Sequence, residues 1–162
     1  MLAKNSAMTL LLPSEREIVL TRVFDAPRGL VFEAWTKPEH VKQWYGCSIM
    51  TLPVCEIDLR VGGAYRYVMR SPDGGKHTMQ GVYREIMPPR RLVYTEQYVT
   101  EGFTSNEALV TVIFAEHDGM TTLTSTILHQ SKADRDGHLG SGMERGAAEV
   151  YDRLAAYLAT MA

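Results

Sequence analysis

The 162-residue sequence has little of several things, and each scarcity excludes a class of function. It has two cysteines, Cys47 and Cys55, which form no C-x-x-C and have no second pair to join. That excludes a cysteine zinc site and a disulfide framework, and leaves two reduced thiols in a protein expected to be cytoplasmic. No run of about 18 apolar residues occurs, so a membrane span is not expected. Neither sign of charge dominates: 17 basic residues face 19 acidic ones, for a net charge of −2. Such a balance carries no global footprint for nucleic acid. Five histidines, His40, His77, His117, His129 and His138, form no H-E-x-x-H and no pair with metal-ligand spacing on one element. No metal and no cofactor are expected. The serines of "TSTILHQS" lack the G-x-S-x-G surroundings of an activated nucleophile. There is no internal repeat and no low-complexity linker.

What is present is a globular composition, 45% apolar and 22% charged, in a chain long enough for one domain with a core. The opening "MLAKNSAMTLLLPSERE" has an apolar run too short for a signal peptide, and residues 1–14 read as a flexible leader to a single domain over 15–162. Arg16–Phe24 is rich in β-branched and apolar residues and reads as a strand. Two short helices follow. Asp25 caps the first, with Pro27 in its opening turn and Leu30, Val31, Ala34 and Trp35 on one face. Thr36 caps the second, Pro38 starts it, Val41 and Trp44 face inward, and Gly46 ends it.

From about Leu52 the periodicity changes to that of strands. Six segments are expected: Val54–Arg60, Ala64–Arg70, Lys76–Met87, Leu92–Thr100, Glu107–Glu116 and Met120–His129. The breaks between them carry turn chemistry: Gly62-Gly63, "SPDGG", "MPPRR", "TEGFTSN" and "EHDGM". Short links of this kind predict an antiparallel meander. "SKADRDGH" reads as a polar loop. Beyond it, Leu139, Met143, Ala147, Val150, Leu154 and Tyr157 fall three or four apart, which predicts one amphipathic helix of about 20 residues, roughly 30 Å long. Helices segregated from an antiparallel sheet define an α+β fold.

Adjacent glycines raise the question of a phosphate loop. Such a loop needs glycines that open a helix. Gly62-Gly63 and Gly74-Gly75 lie between strand patterns instead and read as hairpin turns. "GSGMERG" opens a helix, but its third glycine is one position late for G-x-G-x-x-G and no βαβ unit surrounds it. Catalytic candidates are few, and no catalytic set is assigned. Glu85 and Glu96 lie inside strands and could act as acid or base if they faced an apolar interior. His129 ends an apolar strand. The plainer account is cross-strand ion pairing on a solvated face. Tyr65, Tyr67 and Met69 alternate on one strand face, followed in the same rhythm by Met79, Gly81 and Tyr83, by Tyr94 and Tyr98, and by Val110, Val112 and Phe114. With nine methionines and eight tyrosines, these residues suit either a solid core or a partly hollow one edged with hydroxyls.

Four stretches together carry a resemblance: "RVFDAPRGLVFEAWTKPEHVKQWYG", "CEIDLRVGGAYRYVM", "GVYREIMPPRRLVYTE" and "GMERGAAEVYDRLAAYL". In this order they resemble the SRPBCC superfamily, the START-related fold shared by polyketide cyclases and the birch pollen allergen. Within it the chain is similar to the bacterial group related to the C-terminal domain of the activator of the heat-shock-protein-90 ATPase. The resemblance spans Arg16 to the end. It implies a helix-grip fold, with a seven-stranded antiparallel sheet curved around the C-terminal helix and two small helices closing one end. It also implies a cavity between sheet and helix for a lipid, sterol or polyketide-like molecule. The expected walls are Tyr65, Tyr67, Met69, Tyr83, Tyr94, Phe114, Met143, Ala147 and Val150, with Trp44 near the mouth. The expected activity is binding of a small apolar ligand without catalysis. The rivals are a cyclase or hydrolase with a buried carboxylate, and a module that pairs with a chaperone or with a second copy of itself.

Overall fold

The structure, a computed structural model, describes residues 7–161. Its elements run β1 (Thr9–Leu11), β2 (Glu17–Phe24), α1 (Arg28–Thr36), α2 (Pro38–Trp44), β3 (Thr51–Ile57), β4 (Ala64–Arg70), β5 (Lys76–Met87), β6 (Arg91–Thr100), β7 (Phe103–Thr104), β8 (Ala108–His117), β9 (Met120–Leu128), α3 (Lys132–Gly140) and α4 (Met143–Met161). Among the described residues the strands form one antiparallel sheet in the order β1-β2-β9-β8-β6-β5-β4-β3, with β7 added beside β6. This is the expected helix-grip α+β fold with two strands more than seven. One is the two-residue β7. The other, β1, lies within the stretch read as a leader. Thr9 pairs with Thr21 and Leu11 with Val19, and Met8 and Leu10 pack against the core. Residues 1–6 of that leader lie outside the described residues.

Alternation builds the inner face. Ile18, Leu20, Arg22 and Phe24 of β2 point inward, as do Val110, Val112 and Phe114 of β8 and Leu123 and Ile127 of β9. α4 covers this face with Tyr151, Leu154 and Leu158, all buried, three and four residues apart. The C-terminal helix is broken where the periodicity predicts continuity. α3 ends at Gly140, Gly142 takes a left-handed φ of +83°, and α4 starts afresh at Met143. α3 occupies the segment read as a polar loop. Its apolar stripe is weak, but its start is well specified: the Ser131 hydroxyl accepts from the Asp134 amide at 3.0 Å, and Asp134 places a negative charge in the first turn.

The small helices begin two residues and one residue later than their expected caps. Pro27 and Lys37 hold the N-cap positions, and neither makes a side-chain capping bond. Thr36 instead donates its hydroxyl to the Phe32 carbonyl at 2.8 Å. Two details of β5 decide what the sheet presents inward. Gly81 pairs with Tyr65, and a side chain there would strike the Thr95 backbone and the Tyr65 ring. Its absence lets the Tyr65 hydroxyl reach over to donate to the Thr95 carbonyl at 2.7 Å. Between Tyr83 and Glu85 the register shifts by one residue. At the sheet's free ends lie β1, three residues long, and β3, which carries Pro53 and a register shift between Thr51 and Val54.

Candidate functional site

Enclosed space in the interior lies where α1, α2 and the β4–β5–β6 part of the sheet converge. Eight side chains line it: Trp35 from α1, Trp44 from α2, Tyr45 just after it, Tyr65 and Tyr67 from β4, Tyr83 from β5, and Tyr94 and Glu96 from β6. The pairs Tyr65/Tyr67 and Tyr94/Glu96 share a face because each is separated by two strand positions. Tyr83 and Tyr94 are direct cross-strand partners. The rings touch one another, with centroids 4.7 Å apart for Tyr45–Tyr67, 5.2 Å for Tyr65–Tyr67, 5.3 Å for Tyr65–Tyr94 and 5.0 Å for Trp35–Trp44. The cavity volume is about 30 Å³, room for a water or two.

Glu96 is the one ionisable carboxyl among these aromatics. It is half-buried by area and lines the cavity. Burial pushes its pKa up to about 7. Among the described residues no hydrogen-bond donor and no cation is bonded to it. Burial also raises the tyrosine pKa values, those of Tyr45, Tyr65, Tyr67, Tyr83, Tyr94 and Tyr151, so every hydroxyl stays protonated at neutral pH. Trp44 is committed elsewhere, donating its indole N–H to the Ala34 carbonyl at 3.0 Å.

The segment after α2, which begins with the cavity-lining Tyr45, is held in place by α4. Arg153 donates to the Gly46 carbonyl at 2.6 Å. Glu149 accepts from the Ser48 amide at 3.2 Å and from its hydroxyl at 3.1 Å. Gly46, with φ of +87°, turns the chain there.

Of the expected wall, the structure brings Trp44, Tyr65, Tyr67, Tyr83 and Tyr94 to this cavity. Phe114 lies behind Phe32 and Trp35, at 5.3 and 6.2 Å between centroids. Met69 is half-buried beside Gly46. Met143, Ala147 and Val150 pack half-buried against the core without lining the space. Trp35 and Tyr45 join the wall without having been singled out for it. Trp35 shares one face of its helix with Leu30, Val31 and Ala34, whereas Tyr45, beside a helix-ending glycine, gives no periodic signal.

The acid–base candidates separate. Glu96 faces the interior. Glu85 does not, because the register shift after Tyr83 sets it opposite Val93 on the outer face, where its carboxylate lies 3.3 Å from Arg91. His129 is buried at the far end of β9, hydrogen-bonded to His138 at 3.0 Å. Burial lowers both pKa values, that of His138 to about 4, so this pair is neutral. No group of three metal-ligating side chains occurs among the described residues. A larger depression of about 480 Å³ lies on the outer face, near Arg16, Arg84, Val93, Leu109 and Leu128, but it is open to solvent.

Several known structures share this architecture. A protein from Rhodobacter sphaeroides superposes with a TM-score of 0.89 at 25% identity, over 96% of this chain and 99% of that one. One from Staphylococcus epidermidis gives 0.81 at 25% identity, over 96% of each chain. One from Nitrosomonas europaea gives 0.82 at 23% identity, over 93% of this chain and 98% of that one. No curated protein matches the chain. Residues 25–159 match the family described as Activator of Hsp90 ATPase homolog 1-like protein, and this stretch includes both small helices, all but the last two residues of α4 and every side chain around the cavity. The chain therefore belongs to the family of Activator of Hsp90 ATPase homolog 1-like proteins.

Proposed function

We propose that the protein binds a small molecule with an apolar body and one polar end in the interior cavity. The observation that carries this reading is Glu96, a carboxyl with no bonded partner in a wall otherwise made of seven aromatic side chains. A half-buried carboxyl set among aromatic side chains is the kind of polar group that fixes a ligand's orientation in a mostly apolar pocket. Burial of rings would supply affinity, and Glu96 with the tyrosine hydroxyls would set orientation. Drug-sized ligands occupy roughly 300–1,000 Å³, against about 30 Å³ here. A lipid or sterol would require the segment around Tyr45 and Gly46 to swing off α4. A single small ring or a compact head group asks for much less.

Trp35 and Trp44 are the two tryptophans of the sequence, and both line the cavity. Titration with benzyl alcohol and cyclohexanol should therefore give saturable changes in tryptophan fluorescence and raise Tm. Flat titrations and an unchanged Tm across these probes and a lipid panel would remove the reading. The raised pKa of Glu96 favours a second reading, in which it acts as general acid or base on a bound ligand. In that case Glu96→Gln would abolish turnover of a candidate substrate that still binds. The family description also brings forward a chaperone partner. ATPase rates of the host's Hsp90-type chaperone, with and without the protein, test that role directly.

A further inference from the structure

We infer that the polar end of the ligand is an organic cation, an ammonium or methylated ammonium head held by Glu96 and the surrounding rings. The inference rests on the ligand-binding reading above and names the chemistry of that same site.

The first support is the wall. Seven of the eight lining side chains are Trp or Tyr. Their ring faces are electron-rich and attract cations, most strongly where water is excluded. The second is the sign of the charge that lies among them. Glu96 is the only charged type in the lining, with no Lys or Arg beside it. Arg22, the buried cation on the inner face, does not line the cavity: its guanidinium donates to Asp152 at 2.7 Å and lies 5.5 Å from the centre of the Phe24 ring. An anionic ligand would meet a carboxylate and no counter-charge. The third is hydrogen bonding. Tyr65 gives its proton to the Thr95 carbonyl, and no side chain donates to Glu96 among the described residues. A carboxylate without donors accepts readily from the N–H groups of an amine. The fourth is size: about 30 Å³, room for a water or two, holds a primary ammonium head as it stands and a methylated one once the surrounding rings draw apart.

Other titratable groups do not compete. Tyr45 after α2, Tyr65 and Tyr67 on β4, Tyr83 on β5, Tyr94 on β6 and Tyr151 on α4 are all neutral around pH 7. So is Cys55 on β3, whose thiol burial pushes up to about 11. Arg153 and Glu149 of α4 are bound to Gly46 and Ser48 and do not line the cavity, so Glu96 provides the only charge of the lining, and a bound cation would favour its ionised form.

A matched pair of probes tests the inference: benzylamine and benzyl alcohol, which share a ring and differ in charge. Affinities are read from tryptophan fluorescence between pH 6 and 8. At pH 8 benzylamine should bind at least about tenfold more tightly than the alcohol. That ratio should grow as pH rises and Glu96 ionises, while the alcohol's affinity does not rise with pH. Tetramethylammonium should compete with benzylamine. In Glu96→Gln the ratio should collapse toward one; if that variant does not fold, the pH dependence of the ratio in the unaltered protein carries the test. Equal affinities for amine and alcohol at every pH would overturn the cation and leave the ligand-binding reading standing. No fluorescence response to either probe would overturn both.

Discussion

At the scale of single residues, Glu85 and Glu96 show how far a strand pattern reaches. Both sit in strand segments, and period-two counting puts Glu85 on the same face as Tyr83. One extra residue in β5 reverses that and sends Glu85 to Arg91 on the outside. A bulge leaves no mark in apolar periodicity, so the sequence could nominate both carboxyls and not choose between them. The choice has a measurable consequence. The Glu96 pKa is about 7 in the folded chain against 4.5 for an ordinary glutamate. Between those values the folded state holds the proton that the unfolded state has lost, so stability falls as pH rises through this window. The full effect is on the order of 3 kcal/mol. Urea unfolding of the unaltered protein should show a higher midpoint at pH 5 than at pH 8. Glu96→Gln should flatten that difference and exceed the unaltered protein at pH 8 by about 2 kcal/mol. An unchanged pH profile in the variant would mean that the carboxyl is solvated.

At the scale of elements, α4 was legible and its attachment was not. Spacing alone finds Leu154 and its neighbours, but nothing in a helical repeat tells that Asp152 will meet a buried arginine of β2. Arg22 is almost fully enclosed, and the Asp152 side chain is 72% exposed. The Arg22 Nε has no hydrogen-bond partner. Removing the acid strands a buried cation, whereas removing the base releases a well-solvated carboxylate. Asp152→Ala should therefore cost about 2–3 kcal/mol, while Arg22→Met should be close to neutral. Chemical denaturation of the two variants separates these outcomes, and equal losses would contradict the asymmetry. Gly146 gives a second prediction on the same helix. It is exposed, and an added methyl would meet nothing within 4 Å. Gly146→Ala should raise stability by about 0.5–1 kcal/mol through helix propensity alone. A loss in Tm would show a packing role that the geometry lacks.

At the scale of the whole molecule, the order of elements could be read from turn chemistry, but which strands are neighbours could not. β2 and β9 lie side by side, Glu17 opposite Leu128 and Phe24 opposite Thr121, although about a hundred residues separate them. Pairings so distant in sequence must be closed before they stabilise anything, so folding should take milliseconds to seconds rather than microseconds. Stopped-flow refolding followed by tryptophan fluorescence measures this, and a microsecond rate would show that the nucleus is local. The same arrangement leaves the sheet open, with β1 and β3 at its ends. Three residues of β1 offer too short a template for another chain to zip onto. Pro53 and the register shift break the regular row of donors along β3. The blunted borders thus protect the protein at high concentration against end-to-end strand recruitment and fibril growth.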